Sequence, residues 1–82
     1  MSWFLAEEKS YRKTYQSWVT PDGEMPMGVH GVIVERKSSS VSRFPFVVRV
    51  YKDREVVCGN VEETMSKAID FFIDMKKKLE AA

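Results

Sequence analysis

The chain has 82 residues, enough for one small domain in which folding buries about 60% of the unfolded chain's surface, and too few for a large internal active-site cavity. Hydrophobic residues make up 44% of the sequence, but no apolar run approaches the ~20 residues that span a bilayer, so we expect no membrane segment. The net charge of +1, from 13 basic and 12 acidic residues, lacks the strong positive excess of most nucleic-acid-binding domains. The single cysteine, Cys58, excludes an intramolecular disulfide and agrees with a reducing compartment, so we expect one cytoplasmic domain over residues 1–82.

The N-terminal segment, residues 1–19, is rich in aromatic side chains and fits two kinds of secondary structure. Spacings of seven, four and three residues place four aromatic residues on one face of a helix: Phe4, Tyr11, Tyr15 and Trp18. Over residues 11–19, however, the Tyr, Thr, Trp and Val content and the alternation with polar residues favour a strand. We expect a helix in the early part of the segment, and an additional strand over residues 11–19 is the alternative.

A turn and the first strand of the main sheet come next. Residues 20–23, Thr-Pro-Asp-Gly, form a strong turn sequence because proline presets φ and aspartate and glycine favour turns. Residues 20–28 are therefore expected to be a surface connection. The strand Val29–Arg36 has apolar residues on both faces, and one helix can cover only one face of a sheet. The N-terminal aromatic residues or a binding partner must cover the second face.

Two further strands joined by a tight turn follow a polar loop at residues 37–42. A period-two pattern directs one set of side chains toward the helix: Phe44, Phe46, Val48 and Val50. The other side of the same strand carries Val47, Arg49 and Tyr51. Four charged residues, 52–55, interrupt the apolar pattern, which resumes at residues 56–58, so the sequence predicts a β-hairpin. The antiparallel sheet is expected over residues 29–59.

The C-terminal residues 61–80 have the clearest helix signal. Asn60 can act as the N-cap, with Glu63 in the capping-box position three residues later. An apolar stripe marks the face that covers the sheet: Val61, Met65, Ala68, Ile69, Phe72, Met75 and Leu79. Two acid-first pairs, worth about 0.3 kcal/mol each, support the exposed face: Glu63 with Lys67 and Asp74 with Lys78. The predicted fold is α+β, a three- or four-stranded antiparallel sheet packed against one C-terminal helix.

The sequence contains no catalytic constellation and no metal-ligand spacing, so we expect a protein that is not an enzyme and needs no cofactor. Cys58 lies in a predicted strand, where a small buried hydrophobic residue is the ordinary interpretation. Nothing in the sequence places the only histidine, His30, beside it as a base. The acidic residues near and within the helix are expected mostly on its solvent face: Glu62, Glu63, Asp70 and Asp74.

Basic residues concentrate in the predicted sheet. Residues 36–54 include six basic side chains against one acid, Asp53. Arg49 and Tyr51 share the outward side of their strand, which offers a charge for phosphate or guanine beside an aromatic ring for a sugar or base. The alternative is that these two residues form only the solvated side of the sheet. The candidate nucleic-acid-binding residues are Arg36, Arg43, Arg49, Tyr51 and Arg54.

Several short motifs carry a resemblance to a known family. The motifs are Gly28-Val29-His30-Gly31-Val32, a basic residue at Arg36, the strand residues 46–50, Gly59, and a helix opening with Glu62-Glu63. Over about residues 28–72 the chain resembles the three-stranded-sheet DNA-binding domains of plant ethylene-response factors, which are similar to domains of phage endonucleases and integrases. The resemblance implies that the sheet face away from the helix enters a DNA major groove, with Arg36, Arg49 and Arg54 as its arginines. The same strand order, preceded by an N-terminal helix, also looks like the double-stranded-RNA-binding fold.

We therefore expect a small non-catalytic module that binds nucleic acid, DNA rather than RNA, through the basic sheet face. The alternative is a protein-binding module, such as a phage-encoded inhibitor or adaptor of a host complex. Half of the ten aromatic residues fall within the first eighteen positions and favour this alternative: Trp3, Phe4, Tyr11, Tyr15 and Trp18. Phe71 and Ile73 on the helix flank would also allow a homodimer.

Overall fold

The computed structural model of the protein describes residues 3–9, 12–18, 24–36 and 43–81. An antiparallel sheet and a helix make up this part of the chain, in the order β1 Phe4–Lys9, β2 Arg12–Gln16, β3 Val29–Arg36, β4 Phe46–Lys52, β5 Glu55–Glu62 and α1 Met65–Ala81. The five strands lie side by side in sequence order, and each is antiparallel to its neighbour. The predicted α+β class, with a C-terminal helix packed on an antiparallel sheet, is confirmed.

The sheet has five strands because the N-terminal segment forms two of them. β1 and β2 make a hairpin, and β2 lies along β3 with Tyr15 opposite Ile33. The helix expected in the early part of this segment is wrong, whereas the strand alternative for the later part is correct; Tyr11 and Val19 lie outside the described residues. Pairing with β3, rather than local sequence preference, makes residues 12–16 a strand. β2 hydrogen-bonds backbone groups of β3 that would otherwise lie unpaired at an exposed sheet edge.

The core lies between the sheet and α1. Ile33, Val48 and Val50 are completely buried on the sheet, and Ala68 and Phe72 are completely buried on the helix. Partly buried residues of the predicted stripe pack against them: Met65, Ile69, Met75 and Leu79. The alternation predicted within β4 and the apolar stripe of residues 65–79 are thus confirmed, although the exposed Phe44 lies before the strand begins.

On the helix side of the sheet, an aromatic residue of the N-terminal segment packs against an aromatic residue of the C-terminal helix. The rings of Trp3 and Phe72 meet edge to face, with their centroids 5.5 Å apart. Phe72 also lies directly on β3, where a Cβ added to Gly31 would come within 2.5 Å of the Phe72 Cδ1 atom. A glycine at position 31 therefore allows α1 to approach the sheet closely at this point.

The helix begins four residues later than the sequence predicts, and Asn60 is not its N-cap. Thr64 caps α1 instead: its Oγ1 accepts a hydrogen bond from the Lys67 amide at 3.1 Å. Val61 and Glu62 belong to β5, opposite Val47 and Phe46 of β4. Pairing with β4 decides the boundary, because it satisfies the backbone of residues 61 and 62 that a first helical turn would leave without partners.

We expect Thr64→Ala to lower the free energy of unfolding by about 1 kcal/mol, because the substitution removes the side-chain acceptor of the first helical turn. Thr64→Ser keeps a hydroxyl at this position and should retain most of the stability. Asn60→Ala should change stability by less than about 0.5 kcal/mol, since among the described residues its exposed side-chain amide bonds only the Glu62 carboxylate. Urea unfolding followed by circular dichroism checks the order of the three variants, and a larger loss for Asn60→Ala contradicts the assigned helix start.

Ion pairs lie on the solvent side of α1. The two predicted pairs are present, Glu63 with Lys67 at 3.6 Å and Asp74 with Lys78 at 3.2 Å. A third pair, between Lys76 and Glu80 at 2.8 Å, was not predicted. Exposed pairs one helical turn apart contribute only a few tenths of a kcal/mol each, so these residues support the helix and mark no site.

Candidate functional site

The sheet has one face covered by α1 and one face that no described element covers, which we call the open face. Directly paired residues of neighbouring antiparallel strands lie on the same face. The buried residues Ile33, Val48 and Val50 therefore define the helix side, and the residues alternating with them define the open face. The open face carries His30, Val32, Val34 and Arg36 from β3, Val47, Arg49 and Tyr51 from β4, and Val56 and Val61 from β5.

Three valines form a row across the open face. Val34 is paired with Val47, and Val47 is paired with Val61, so one valine from each of β3, β4 and β5 lies at the same level of the sheet. Val61 is 43% exposed. With Arg36 and Arg49, this valine row lines a shallow groove of about 320 Å³. The groove is therefore apolar along its middle and positively charged on its flanks.

Arg36 and Arg49 lie on opposite sides of the valine row. Arg49 pairs with Val32 of β3. Arg36 is four residues further along β3 than Val32, so the two arginines are about 13 Å apart along the strand direction. The Arg36 Nη2 donates to the Phe44 carbonyl at 3.4 Å, and the side chain is otherwise exposed. The Arg49 side chain is also exposed and makes no hydrogen bond or ion pair with any residue that the structure describes. Gly59, its partner on β5, places no side chain beside it.

An aromatic cluster of Trp18, His30 and Tyr51 lies at the end of the open face beyond Arg49. Tyr51 is paired with His30, and the ring of Trp18 meets His30 edge to face at 5.9 Å between centroids. Trp18 is buried, and neither its Nε1 nor the His30 Nδ1 has a partner among the described residues. Of the N-terminal aromatic residues whose side chains the structure describes, Trp18 contacts this end, whereas Trp3 and Tyr15 pack into the core on the helix side. Much of the open face thus stays uncovered by the described residues.

The predicted site residue Arg54 lies in the turn between β4 and β5. Asp53 and Arg54 have φ values of 52° and 72°, the left-handed conformation of type I′ hairpin turns. The Arg54 Nε donates to the Met25 carbonyl at 2.8 Å. Asp53 and Gly28 bond twice at 3.0 Å, once between their backbones and once from the Gly28 amide to the Asp53 carboxylate. These contacts give Arg54 a structural role that the sequence did not reveal.

We expect Asp53→Ala to lower the free energy of unfolding by about 1–2 kcal/mol. Alanine removes the acceptor of the Gly28 amide and tolerates positive φ less well than aspartate. Asp53→Asn is the matched control, because asparagine keeps a side-chain carbonyl and adopts left-handed φ readily. Thermal unfolding of the two variants checks the difference, and equal losses would contradict the stabilising role assigned to the side-chain acceptor and to the left-handed conformation at position 53.

The structure brings together some of the five predicted binding residues. Arg36 and Arg49 flank the valine row, and Tyr51 lies on the same strand as Arg49, two residues further along. Arg43 is exposed in the bend before β4, and Arg54 is held in the opposite turn. The valine row itself was missed, because its third member, Val61, was assigned to the helix.

Other groups of possible chemical interest are separated by the sheet. Cys58 is paired with the buried Val50 and packs on the helix side, whereas His30 belongs to the open face, so the two cannot act as a pair. Among the described residues, no group of three or more histidine, cysteine or acidic side chains is arranged to hold a metal ion. The described part of the chain also contains no helix with the length and apolar character needed to cross a membrane.

The fold and the open face define a small α+β domain with a five-stranded antiparallel meander, one helix on one face and a mixed apolar and cationic surface on the other. No known protein family, curated protein or solved structure matches the chain.

Proposed function

We propose that the chain is a non-catalytic binding module that binds nucleic acid through the open face. The observation that carries this proposal is the pair of exposed arginines, Arg36 and Arg49, on either side of a partly exposed valine row. None of the described side chains on the open face of β2 to β5 is acidic. The open face therefore carries a local positive charge, although the net charge of the chain is only +1.

The chemistry of these side chains suits phosphate and base together. Guanidinium groups bind phosphate through a planar set of donors, and Arg49 has its donors unused by the described residues. Tyr51 offers an aromatic ring two residues from Arg49 on the same strand face. The resemblance to three-stranded-sheet DNA-binding domains supports the choice of this sheet face and of DNA over RNA. It does not support their docking in a duplex major groove, because the sheet here has five strands.

Fluorescence anisotropy with a labelled oligonucleotide, titrated at several salt concentrations, tests this function. We expect a micromolar or tighter dissociation constant at low salt. If the two arginines each neutralise one phosphate, the slope of log affinity against log salt should be about −1.4 for a single strand or about −1.8 for a duplex. Absence of binding at low salt, or an affinity that does not change with salt, contradicts the proposal.

A protein partner is the second candidate, and the edge strand β5 favours it. β5 pairs with β4 alone among the described strands, and Val56 and Val57 on it are 56% and 46% exposed. An edge strand with exposed valines can pair with another chain, including a second copy of this one. Of the helix-flank residues predicted for a homodimer, Ile73 is exposed but Phe71 packs against the core. Sedimentation of the purified 9.5 kDa chain distinguishes a monomer from a dimer.

A further inference from the structure

We propose that the nucleic acid on the open face is single-stranded, with unpaired bases against the valine row and Tyr51 and with phosphates on Arg36 and Arg49. This inference rests on the proposed function and names its ligand class more narrowly. Three features of the open face carry it: the partly exposed apolar row, the alternation of apolar and cationic residues along β4, and the width of the sheet.

The valine row is the first feature. Val34 and Val47 are half-buried, Val61 is 43% exposed, and all three line the groove between the arginines. A duplex presents mainly phosphates, sugars and polar base edges, which gain little from contact with a row of aliphatic side chains. The faces of unpaired bases are apolar and become accessible only in a single strand. The row therefore fits a ligand whose bases are free to lie against it.

The order of side chains along the sheet is the second feature. On β4 the open face carries Tyr51, Arg49 and Val47, an apolar group on either side of a cation, at intervals of about 6.6 Å. On β3, Arg36 follows Val34 and adds a second cation beyond the valine row. A single strand also presents an apolar base and a charged phosphate in turn. Since the Arg49 guanidinium has no partner among the described residues, it is available to a phosphate next to such a base.

The width of the sheet is the third feature, and it depends on the two N-terminal strands. Five antiparallel strands span about 19 Å from β1 to β5, at about 4.8 Å between neighbours. The major groove of a DNA duplex is about 12 Å wide and admits a helix or a two-stranded ribbon. With β1 and β2 extending the sheet beside β3, the open face is too broad to enter that groove face-on. A single strand can lie across the same face without this restriction.

Competition measured by fluorescence anisotropy tests the inference on the full chain. A labelled single-stranded DNA of mixed sequence is the probe, and the unlabelled competitors are the same strand, its duplex, and inorganic polyphosphate. We expect the single strand to compete at least about tenfold more strongly than the duplex or polyphosphate at equal phosphate concentration. A duplex that competes equally or better overturns the inference but leaves the proposed function standing. Equal competition by polyphosphate also overturns it, because the bases then contribute nothing.

A failure of all nucleic acids to bind overturns the inference and the proposed function together. Binding of an acidic peptide alone would then assign the open face to a protein partner.

The variant Val34→Thr/Val47→Thr tests the apolar row directly, because threonine keeps the shape of valine and favours strands. We expect it to weaken single-strand binding about three- to tenfold while the salt slope stays unchanged. Val57→Thr is the matched control, an equally conservative change at an exposed valine outside the row. An equal loss with Val57→Thr, or no loss with the double variant, overturns the inference.

Discussion

Replacing Gly31 with alanine is expected to destabilise the domain by about 1–3 kcal/mol, or more if the core cannot relax. The new Cβ would lie 2.5 Å from the Cδ1 of Phe72 and 2.9 Å from its Cε1. Phe72 cannot move away easily, because the ring is fully buried between β3 and its neighbours and is also contacted by Trp3. An 82-residue domain has only about 4–12 kcal/mol of total stability, so the loss is large. Urea unfolding followed by circular dichroism measures it.

A double-mutant cycle with Phe72→Leu separates this clash from other effects of the new methyl group. Leucine removes the ring that a Cβ at position 31 would meet, at a cost of its own from lost packing. The double variant should therefore be less destabilised than the sum of the two single variants, by about 1 kcal/mol or more. Additive losses would mean that Phe72 does not pack on the backbone of β3 at Gly31.

The variant Arg36→Gln/Arg49→Gln should lose most nucleic-acid binding, about 100-fold at low salt if each arginine contributes about 1.4 kcal/mol. Both residues are exposed and flank the valine row, so glutamine removes charge without disturbing the core. The salt slope should fall toward zero, because the two proposed phosphate contacts are absent. Anisotropy titrations at several salt concentrations measure affinity and slope together, and circular dichroism verifies that the sheet is intact.

The matched control removes the same number of charges from the exposed side of the helix. Lys77 and Lys78 are exposed on α1, away from the open face, and their replacement by glutamine changes the net charge equally. This control should keep near-native affinity. If it weakens binding as much as the arginine variant, the interaction depends on total charge, and the open face is not the binding surface.

Local sequence patterns predicted the structure correctly where the feature in question does not depend on a partner segment. The alternation of Val48 and Val50 with Val47 and Arg49 predicted which face of β4 is buried, because strand side chains alternate whatever the neighbouring strand is. The same pattern placed Arg49 on the face away from the helix, whereas Arg36 was assigned to that face only by the family resemblance, and neither revealed the valine row between the two residues.

Pairing between distant segments decided other features. Asn60 and Thr64 are both good N-caps, and the pairing of Val61 with Val47 selects Thr64. The left-handed turn at Asp53 and Arg54 depends on hydrogen bonds to Met25 and Gly28, more than 20 positions away in the sequence. No local turn motif therefore predicted its left-handed conformation.

The sequence by itself determined the α+β class, the position of the C-terminal helix to within four residues at its start, and the cationic character of one sheet face. These features depend on periodicity and residue type, which are properties of short segments. Only the tertiary structure decided that the N-terminal segment forms two strands, that Val34, Val47 and Val61 align, and that the resulting face is five strands wide. Strand register is set by backbone hydrogen bonds and packing between segments far apart in the chain, and these interactions exist only once the sheet has formed.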